Sequence, residues 1–362
     1  MNRAWVEVDL NRLAQNVRDI CVRLRPGVRL MAMVKADAYG HGAVEVARAA
    51  LEAGASYLGV AWVTEAEQLR QAGITAPILV LSEPGSDDAI AGMLRAGVEV
   101  TAYTSEFISA LAAEAQRLKQ QVSVHVKVDT GMGRVGVSLA EAVTLCQQVV
   151  AEPSLKLKGV YTHFAMADQP EDPYTGQQIQ HFDKVLQQLK LAGISPELVH
   201  ASNSAGTRHF PQAHYGMVRV GLDLYANVLT FNTVVTQVKQ VPAGQRLSYG
   251  GIYITPQATH IATLSAGYAD GVDRLLSNRG RVLIHGQPYP IVGRVTMDML
   301  LVDLGPRLDP EIRRGDLAVL IGRSGKEHIS VDEMANECGT IPYEIMCGIG
   351  KRVPRMYTQT NT

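Results

Sequence analysis

The sequence predicts an α/β protein: a (β/α)8 TIM-like barrel followed by a smaller, mostly-β C-terminal domain. Short apolar runs alternate with stretches of helical period from about residue 28 to 220. After about residue 238 the pattern changes to strands and turns. The chain's 362 residues also exceed the roughly 250 at which a single core usually stops growing, so two domains are expected.

The first apolar run, 28–34, ends at Lys35, and further runs follow at 57–62, 77–81, 98–103, 122–128, 157–162, 197–201 and 217–220. Each is short, continuous and bounded by Gly, Pro or polar residues, as a strand buried on both faces should be. A helical segment at 11–24 precedes them, and others lie between them at 43–53, 64–72, 105–119, 139–150 and 177–191. Strict alternation implies right-handed βαβ units, and eight strands favour a closed barrel. Beyond the barrel, strands are expected at 252–254, 260–264, 281–284, 291–295 and 317–321. The expected domains are 1–238 and 239–362, with a strand at 5–8 that can join the C-terminal domain.

Lys plus Arg number 34 and Asp plus Glu 35, and no long basic run occurs, so neither nucleic acid nor an anionic membrane is an expected partner. A small neutral or zwitterionic ligand fits better. The four cysteines are scattered without zinc spacing, so no metal is expected and they read as reduced thiols. The N-terminus alternates apolar and charged residues instead of building a signal-peptide core, and no run is long enough to span a bilayer. A cytoplasmic protein is the expectation.

Lys35 sits where a barrel strand ends, the place at which such folds carry their chemistry. Desolvation there lowers a lysine's pKa and frees the amine as a nucleophile for an aldehyde. A surface lysine whose stem crosses the strand end is the plain alternative. Arg219 also lies at a strand end, with Asp223 at hand for a structural ion pair. Asn203-Ser204 and Val220-Gly221-Leu222 follow consecutive late strands, where barrels assemble phosphate sites from loop amides.

Val34-Lys35-Ala36-Asp37-Ala38-Tyr39-Gly40-His41-Gly42 resembles the cofactor-lysine motif of the alanine racemases. The likeness continues in order through Lys127-Val128-Asp129-Thr130-Gly131-Met132-Gly133-Arg134, Tyr161-Thr162-His163-Phe164-Ala165 and His200-Ala201-Ser202-Asn203-Ser204. It extends through Leu247-Ser248-Tyr249-Gly250-Gly251, Gly267-Tyr268-Ala269-Asp270-Gly271, Gly293-Arg294-Val295-Thr296-Met297-Asp298 and Tyr343-Glu344.

The resemblance implies a pyridoxal 5'-phosphate enzyme that interconverts L- and D-alanine and supplies D-alanine for peptidoglycan. Lys35 would hold the coenzyme covalently and, once displaced, move the α-proton. Tyr249, picked from thirteen tyrosines by the Ser-Tyr-Gly-Gly match alone, would be the opposite-face base, with His163 and Arg219 favouring its phenolate. Arg219 would face the pyridine nitrogen, and Tyr39, Asn203, Ser204, Gly221, Leu222 and Tyr343 would serve the phosphate end. Arg134 and the Met297 amide would take the substrate carboxylate. Lys127, which is carbamylated in some members, and His200 would support them; Asp168, Tyr268, Arg274, Arg294 and Asp298 would line the entrance. The family arrangement implies a head-to-tail homodimer whose active sites are shared.

Thr296, Met299 and Ala226 depart from residues common in the family, but none is a proton carrier. Serine or a broader set of small amino acids is the nearest enzymatic alternative, with decarboxylation less favoured. A non-catalytic pyridoxal-phosphate carrier, or more remotely a sugar- or phosphate-binding barrel with an unrelated lysine, is the non-racemase alternative.

Overall fold

The computed structural model describes residues 3–308 and 311–358; the ends of the expected domains, 1–2 and 359–362, lie outside them, as do 309 and 310. The chain divides into two compact units. One comprises Leu13–Ala38 and Ala43–Leu224; the other comprises the N-terminal strand up to Arg12, the short segment Tyr39–Gly42 and everything from Tyr225.

The first unit is a closed barrel of eight parallel strands. They are Arg29–Met33, Tyr57–Val60, Ile78–Val80, Glu99–Ala102, Val122–Lys127, Leu155–Tyr161, Leu198–His200 and Met217–Val220. Closure is by the register Leu30 opposite Val218 and Met31 opposite Arg219. Tyr57–Val60 and Ile78–Val80 are buried at every position, which is why they read as unbroken apolar runs. The helix Asp87–Ala96 has no counterpart among the expected helices, although buried Ile90, Met93 and Leu94 supply the apolar face that defines it. Gly97 ends it in the left-handed conformation that favours glycine.

Gly159 lies on the sixth strand, directly opposite His125 on the fifth. A Cβ there would stand 2.2 Å from His125 Nδ1, so only glycine leaves the imidazole its place inside the barrel. Gly159→Ala is expected to cost about 1–3 kcal/mol through overpacking, read as a lower urea midpoint with an unchanged slope.

After the first strand the chain enters a left-handed turn, Lys35–Gly40, in which Ala36, Asp37, Ala38 and Tyr39 all have φ of 52–53°. Each such residue costs roughly 1–2 kcal/mol, so the turn must be held from outside. Glu65 accepts from the Ala36 amide at 2.6 Å and from the Ala61 amide at 2.7 Å. Asp37 accepts from the Ala43 amide at 2.7 Å, and Ala38 donates to the Val34 carbonyl at 2.9 Å. Lys35 thus leaves a strand that is fixed at its very next residue.

The second unit carries a nine-stranded sheet. In spatial order it runs Glu327–Ile329, Leu317–Ser324, Arg281–Ile284, Gln287–Val292, Leu300–Gly305, Thr259–Leu264, Leu229–Val241, Ala4–Asp9 and Arg355–Thr358. Leu229–Val241 also pairs with Leu317–Ser324, which closes part of the sheet on itself. Ala4, Val6 and Val8 face inward along Ala4–Asp9, and their strand pairs antiparallel with Leu229–Val241 and parallel with Arg355–Thr358. Two helices, Val331–Cys338 and Pro342–Gly348, interrupt a region in which only strands and turns were expected. Ser330 caps the first by accepting from the Glu333 amide, and Pro342 opens the second. Among the described residues no helix is long and apolar enough to cross a membrane.

Candidate active site

At the carboxyl end of the barrel the sequence places several cations, and burial decides what each can do. Arg219, third residue of its strand, is buried. Its Nη1 donates to His200 Nδ1 at 3.0 Å, and its Nη2 donates to the Thr162 and Ala201 carbonyls at 2.8 and 2.9 Å and to His163 Nδ1 at 3.1 Å. The guanidinium carbon lies 5.0 Å from the centre of the Tyr161 ring. The alternative reading of Arg219, an ion pair with Asp223, is not what the structure holds: that carboxylate lies 3.4 Å from Arg208 instead. Asp223 follows the strand end on a short helical turn, Leu222–Tyr225, so its position is set outside the strand that aims Arg219. Burial lowers Arg219 to about 10.

Lys127 ends the fifth strand, buried, with Nζ 5.7 Å from the Tyr161 ring centre. Burial first, then Arg219, Arg134 and Lys35, lower it to about 8 against the pull of Asp129. Burial and the same cations hold His163 well below its usual value, so its imidazole is neutral. Lys35, Lys127, Arg134 and Arg219 therefore share one region of positive potential, which suits a ligand carrying several negative charges.

Arg134 is exposed on a loop that is pinned more firmly than its glycines suggest. Asp129 accepts from the Gly131 and Gly133 amides at 2.9 and 3.0 Å, and Tyr174 Oη donates to the Gly131 carbonyl at 2.7 Å. Gln178, absent from the expected site, is fully buried and donates to the His163 carbonyl at 3.1 Å while accepting from the Ala165 amide at 2.9 Å. It fixes the segment that carries His163. Asp168 is exposed farther along the same connection.

Past the last two barrel strands, Gly221 donates its amide to Ser204 Oγ at 3.0 Å. Asn203 caps the helix Ser204–His209, its Oδ1 accepting from the Gly206 amide at 2.9 Å. Leu222 starts the turn that follows.

The remaining expected residues belong to the sheet-bearing unit. Tyr249 is 73% exposed and sits between Ser248, with φ of 59°, and Gly250, with φ of 73°. With Arg294, Thr296 and Met299 it lines a recess of about 420 Å³. Tyr268 and Arg274 line another with Glu344. The rings of Tyr39 and Tyr343 lie 5.6 Å apart, and Tyr225 stacks obliquely on Tyr39 at 4.9 Å.

Tyr268 and Met297 are brought together by backbone contacts that need glycine. Tyr268 and Ala269 donate to the Thr296 and Met297 carbonyls at 2.9 and 3.1 Å, and a Cβ on Gly267 would stand 2.2 Å from the Thr296 oxygen. Asp270, whose side chain is fully buried, anchors this contact. It accepts from Arg3 Nη1 at 3.0 Å, from Arg352 Nε at 2.8 Å and from the Gly267 amide at 3.0 Å, while Arg352 Nη2 reaches Asp298 at 2.8 Å. Burial alone would raise Asp270, but the hydrogen bonds from Arg3, Arg352 and Gly267 prevail and its pKa is lowered. Its stabilisation is therefore present above the unfolded value of 3.8 and is lost as pH falls through the lower native value. Asp270→Asn is expected to cost on the order of 3 kcal/mol at neutral pH and to flatten the acid limb of stability, measured by urea unfolding across pH.

Among the described residues no group of three or more His, Cys, Asp or Glu could hold a metal ion. Residues 8–227 match the family model "Alanine racemase, N-terminal domain", and residues 228–357 match "Alanine racemase, C-terminal domain". The chain is 46% identical to the alanine racemase of Symbiobacterium thermophilum, over 99% of this chain and 97% of that one. It superposes on the alanine racemase of D-cycloserine-producing Streptomyces lavendulae with TM-score 0.94 at 36% identity, covering 99% of this chain and 98% of the other. It also matches the alanine racemase of Bartonella henselae, whose crystal structure contains covalently bound pyridoxal phosphate, with TM-score 0.89 at 28% identity over 99% and 100% of the two chains.

Proposed function

The chain belongs to the alanine racemase family, and from that premise we propose that it interconverts L- and D-alanine with pyridoxal 5'-phosphate held covalently by Lys35. The carrying observation is the cation cluster in which buried Lys127 and Arg219 act together with half-buried Lys35 and exposed Arg134, and in which Arg219 is met by imidazoles and carbonyls and not by its nearby carboxylate. This donor set fits a phosphorylated aldehyde and a substrate carboxylate. The bound coenzyme supplies an electron-withdrawing system that makes the α-proton of the amino acid acidic.

The protein's own groups then decide the fate of that proton. Arg219 does not readily give up its proton, so facing the pyridine nitrogen it would leave that nitrogen unprotonated and temper the withdrawal, which would favour return of a proton over decarboxylation or transamination. Lys35 handles the α-proton of D-alanine and Tyr249 that of L-alanine, on opposite faces. Arg134 and the Met297 amide hold the carboxylate, and Ser204, Gly221, Leu222, Asn203, Tyr39 and Tyr343 serve the phosphate end. Tyr343 narrows the pocket in favour of alanine over serine. Asp168, Tyr268, Arg274, Arg294 and Asp298 line the entrance. We assign the enzyme to D-alanine supply for peptidoglycan in the cytoplasm.

A homodimer with shared sites is part of this reading. Exposures of 73% for Tyr249, 53% for Met297 and 44% for Tyr268 support a surface of the sheet-bearing unit that serves a second copy.

The test is proton NMR with chiral chromatography on L-alanine in D₂O. Loss of the α-proton together with D-alanine supports the reading. Exchange without inversion removes Tyr249 or Lys35 from its role. Bound coenzyme without either process leaves a carrier.

Lys127 adds a second test. With its native value near 8, below the ordinary 10.5, the charged amine costs stability below about pH 8, and that cost fades as pH rises toward 10.5. Reaction of the neutral amine with CO₂, releasing one proton, would turn it into a carbamate anion that offsets Arg134 and Arg219. Protein equilibrated with ¹³C-bicarbonate is expected to give a carbamate signal that Lys127→Ala lacks. The variant should raise KM for alanine by about tenfold, the worth of one charge-assisted hydrogen bond.

A further inference from the structure

A line of polar groups crosses the barrel interior from one end toward the other, where aliphatic layers are the rule. Glu99 opens the fourth strand at the amino end of the barrel, beside a recess it shares with Arg70 and Ser123. Its Oε2 lies 2.7 Å from His125 Nε2; His125 Nδ1 lies 3.0 Å from His200 Nε2; and His200 Nδ1 lies 3.0 Å from Arg219 Nη1. Both imidazoles are fully buried, and the Glu99 side chain is 14% exposed. The line passes from the fifth strand to the seventh because Gly159, on the sixth, has no side chain to obstruct the His125 ring. Tyr161 stacks flat on His200 at 4.6 Å and holds its plane. Tyr57 Oη donates to the other Glu99 oxygen at 3.5 Å.

The protons in this line have one arrangement that satisfies every contact. Arg219 only donates, so His200 Nδ1 must be a bare acceptor. Burial, with the Arg219 charge beside it, keeps His200 neutral, so its proton is on Nε2 and points to His125 Nδ1. His125 must then carry its proton on Nε2, and that proton needs an acceptor, which Glu99 provides. Reversing the line would set the Nδ1–H of His200 against an Arg219 N–H. An apolar group at position 99 would leave the His125 Nε2 proton without an acceptor, so the arrangement would lose the partner that supports it at that end and only Arg219 would oppose reversal.

We propose that Glu99 is a positioning residue for the reaction: through His125 and His200 it fixes both tautomers, so that His200 presents a lone pair to Arg219 and holds the guanidinium in its orientation. The proposal rests on the reading that Arg219 serves the coenzyme. Each acceptor polarises the next, so the carboxylate also strengthens the far bond.

The experiment is ¹⁵N NMR of the histidine rings in the holoenzyme, assigned by His200→Gln and His125→Gln, together with steady-state kinetics and the coenzyme's absorbance. In the wild type His200 Nδ1 and His125 Nδ1 should resonate as unprotonated nitrogens; a protonated His200 Nδ1 overturns the proposal without any variant. In Glu99→Leu the His200 Nδ1 signal should move toward the protonated range, the coenzyme band should shift, and kcat should fall about tenfold or more with little change in KM. Glu99→Gln, which keeps an acceptor oxygen, should recover most of this. Glu99→Leu that only lowers the melting temperature, with ring signals, absorbance and kcat as in the wild type, makes Glu99 merely structural and overturns the proposal. If Glu99→Leu fails to fold, the wild-type signals and Glu99→Gln decide. Wild-type protein that neither holds the coenzyme nor racemises alanine defeats the functional reading instead, whatever the ring signals.

Discussion

Lys35→Ala is expected to lower kcat in both directions by at least about 10⁴-fold, because one amine has two duties. In the proposed reading it tethers the coenzyme and moves the proton of D-alanine. Its geometry cannot be supplied by a neighbour: Lys127 ends a different strand and is crowded by Arg219 and Arg134. The variant should retain some coenzyme through the remaining cations, so dialysis would strip it slowly while the covalent absorbance band is absent from the start. Added methylamine should restore a fraction of proton exchange but little net inversion, since a diffusing amine has no fixed face. Wild-type turnover in Lys35→Ala, measured by the D₂O assay, would remove Lys35 from the chemistry altogether.

Tyr249→Phe is expected to separate the two halves of the reaction. The ring stays and only the phenolic oxygen goes, so racemisation should fall by about 10²–10⁴-fold, the usual worth of one positioned acid or base. The α-proton of D-alanine should still exchange with D₂O through Lys35, with retention of configuration, while exchange from L-alanine should nearly stop. Equal loss for both enantiomers would mean that Tyr249 positions the substrate and carries no proton. The same variant mixed with Lys35→Ala also tests the shared site: if Tyr249 serves a second copy, mixed dimers recover activity at one of their two sites, whereas mixtures of independent chains recover none.

Much of the barrel is legible in the sequence because its strands are buried on both faces and therefore stand out as apolar runs; Met217–Val220 begins and ends where the run does. The strand Leu229–Val241 is harder to see. Its second half carries Thr236, Gln237, Lys239 and Gln240 at half-buried or exposed positions, so no apolar run marks it. The left-handed turn after Lys35 leaves no trace, since nothing in Ala-Asp-Ala-Tyr calls for positive φ and the residues that hold it, above all Glu65, lie far along the chain.

In the site, Lys35 and Arg219 are visible as polar residues at strand ends, but Tyr249 is known only through the family likeness. Gln178, Glu99 and His125 escape notice for a shared reason. Each acts on an element distant in sequence, and a lone polar residue within a helix or strand gives no local sign of what it will meet.

The sheet's outermost pairing also sets a schedule for synthesis. Ala4–Asp9 is made well before either of its partners, Leu229–Val241 and Arg355–Thr358. At about 5–20 residues per second, the nascent chain carries this apolar strand unpaired for on the order of ten seconds or more before the first partner emerges. Every residue of the barrel unit, Leu13–Ala38 and Ala43–Leu224, has been made by then, whereas the second partner is made more than a hundred residues later still. Ala4–Asp9 thus stays open to a chaperone until both partners are made, and a ribosome stalled short of Arg355 would release a chain whose sheet still has an unfilled edge.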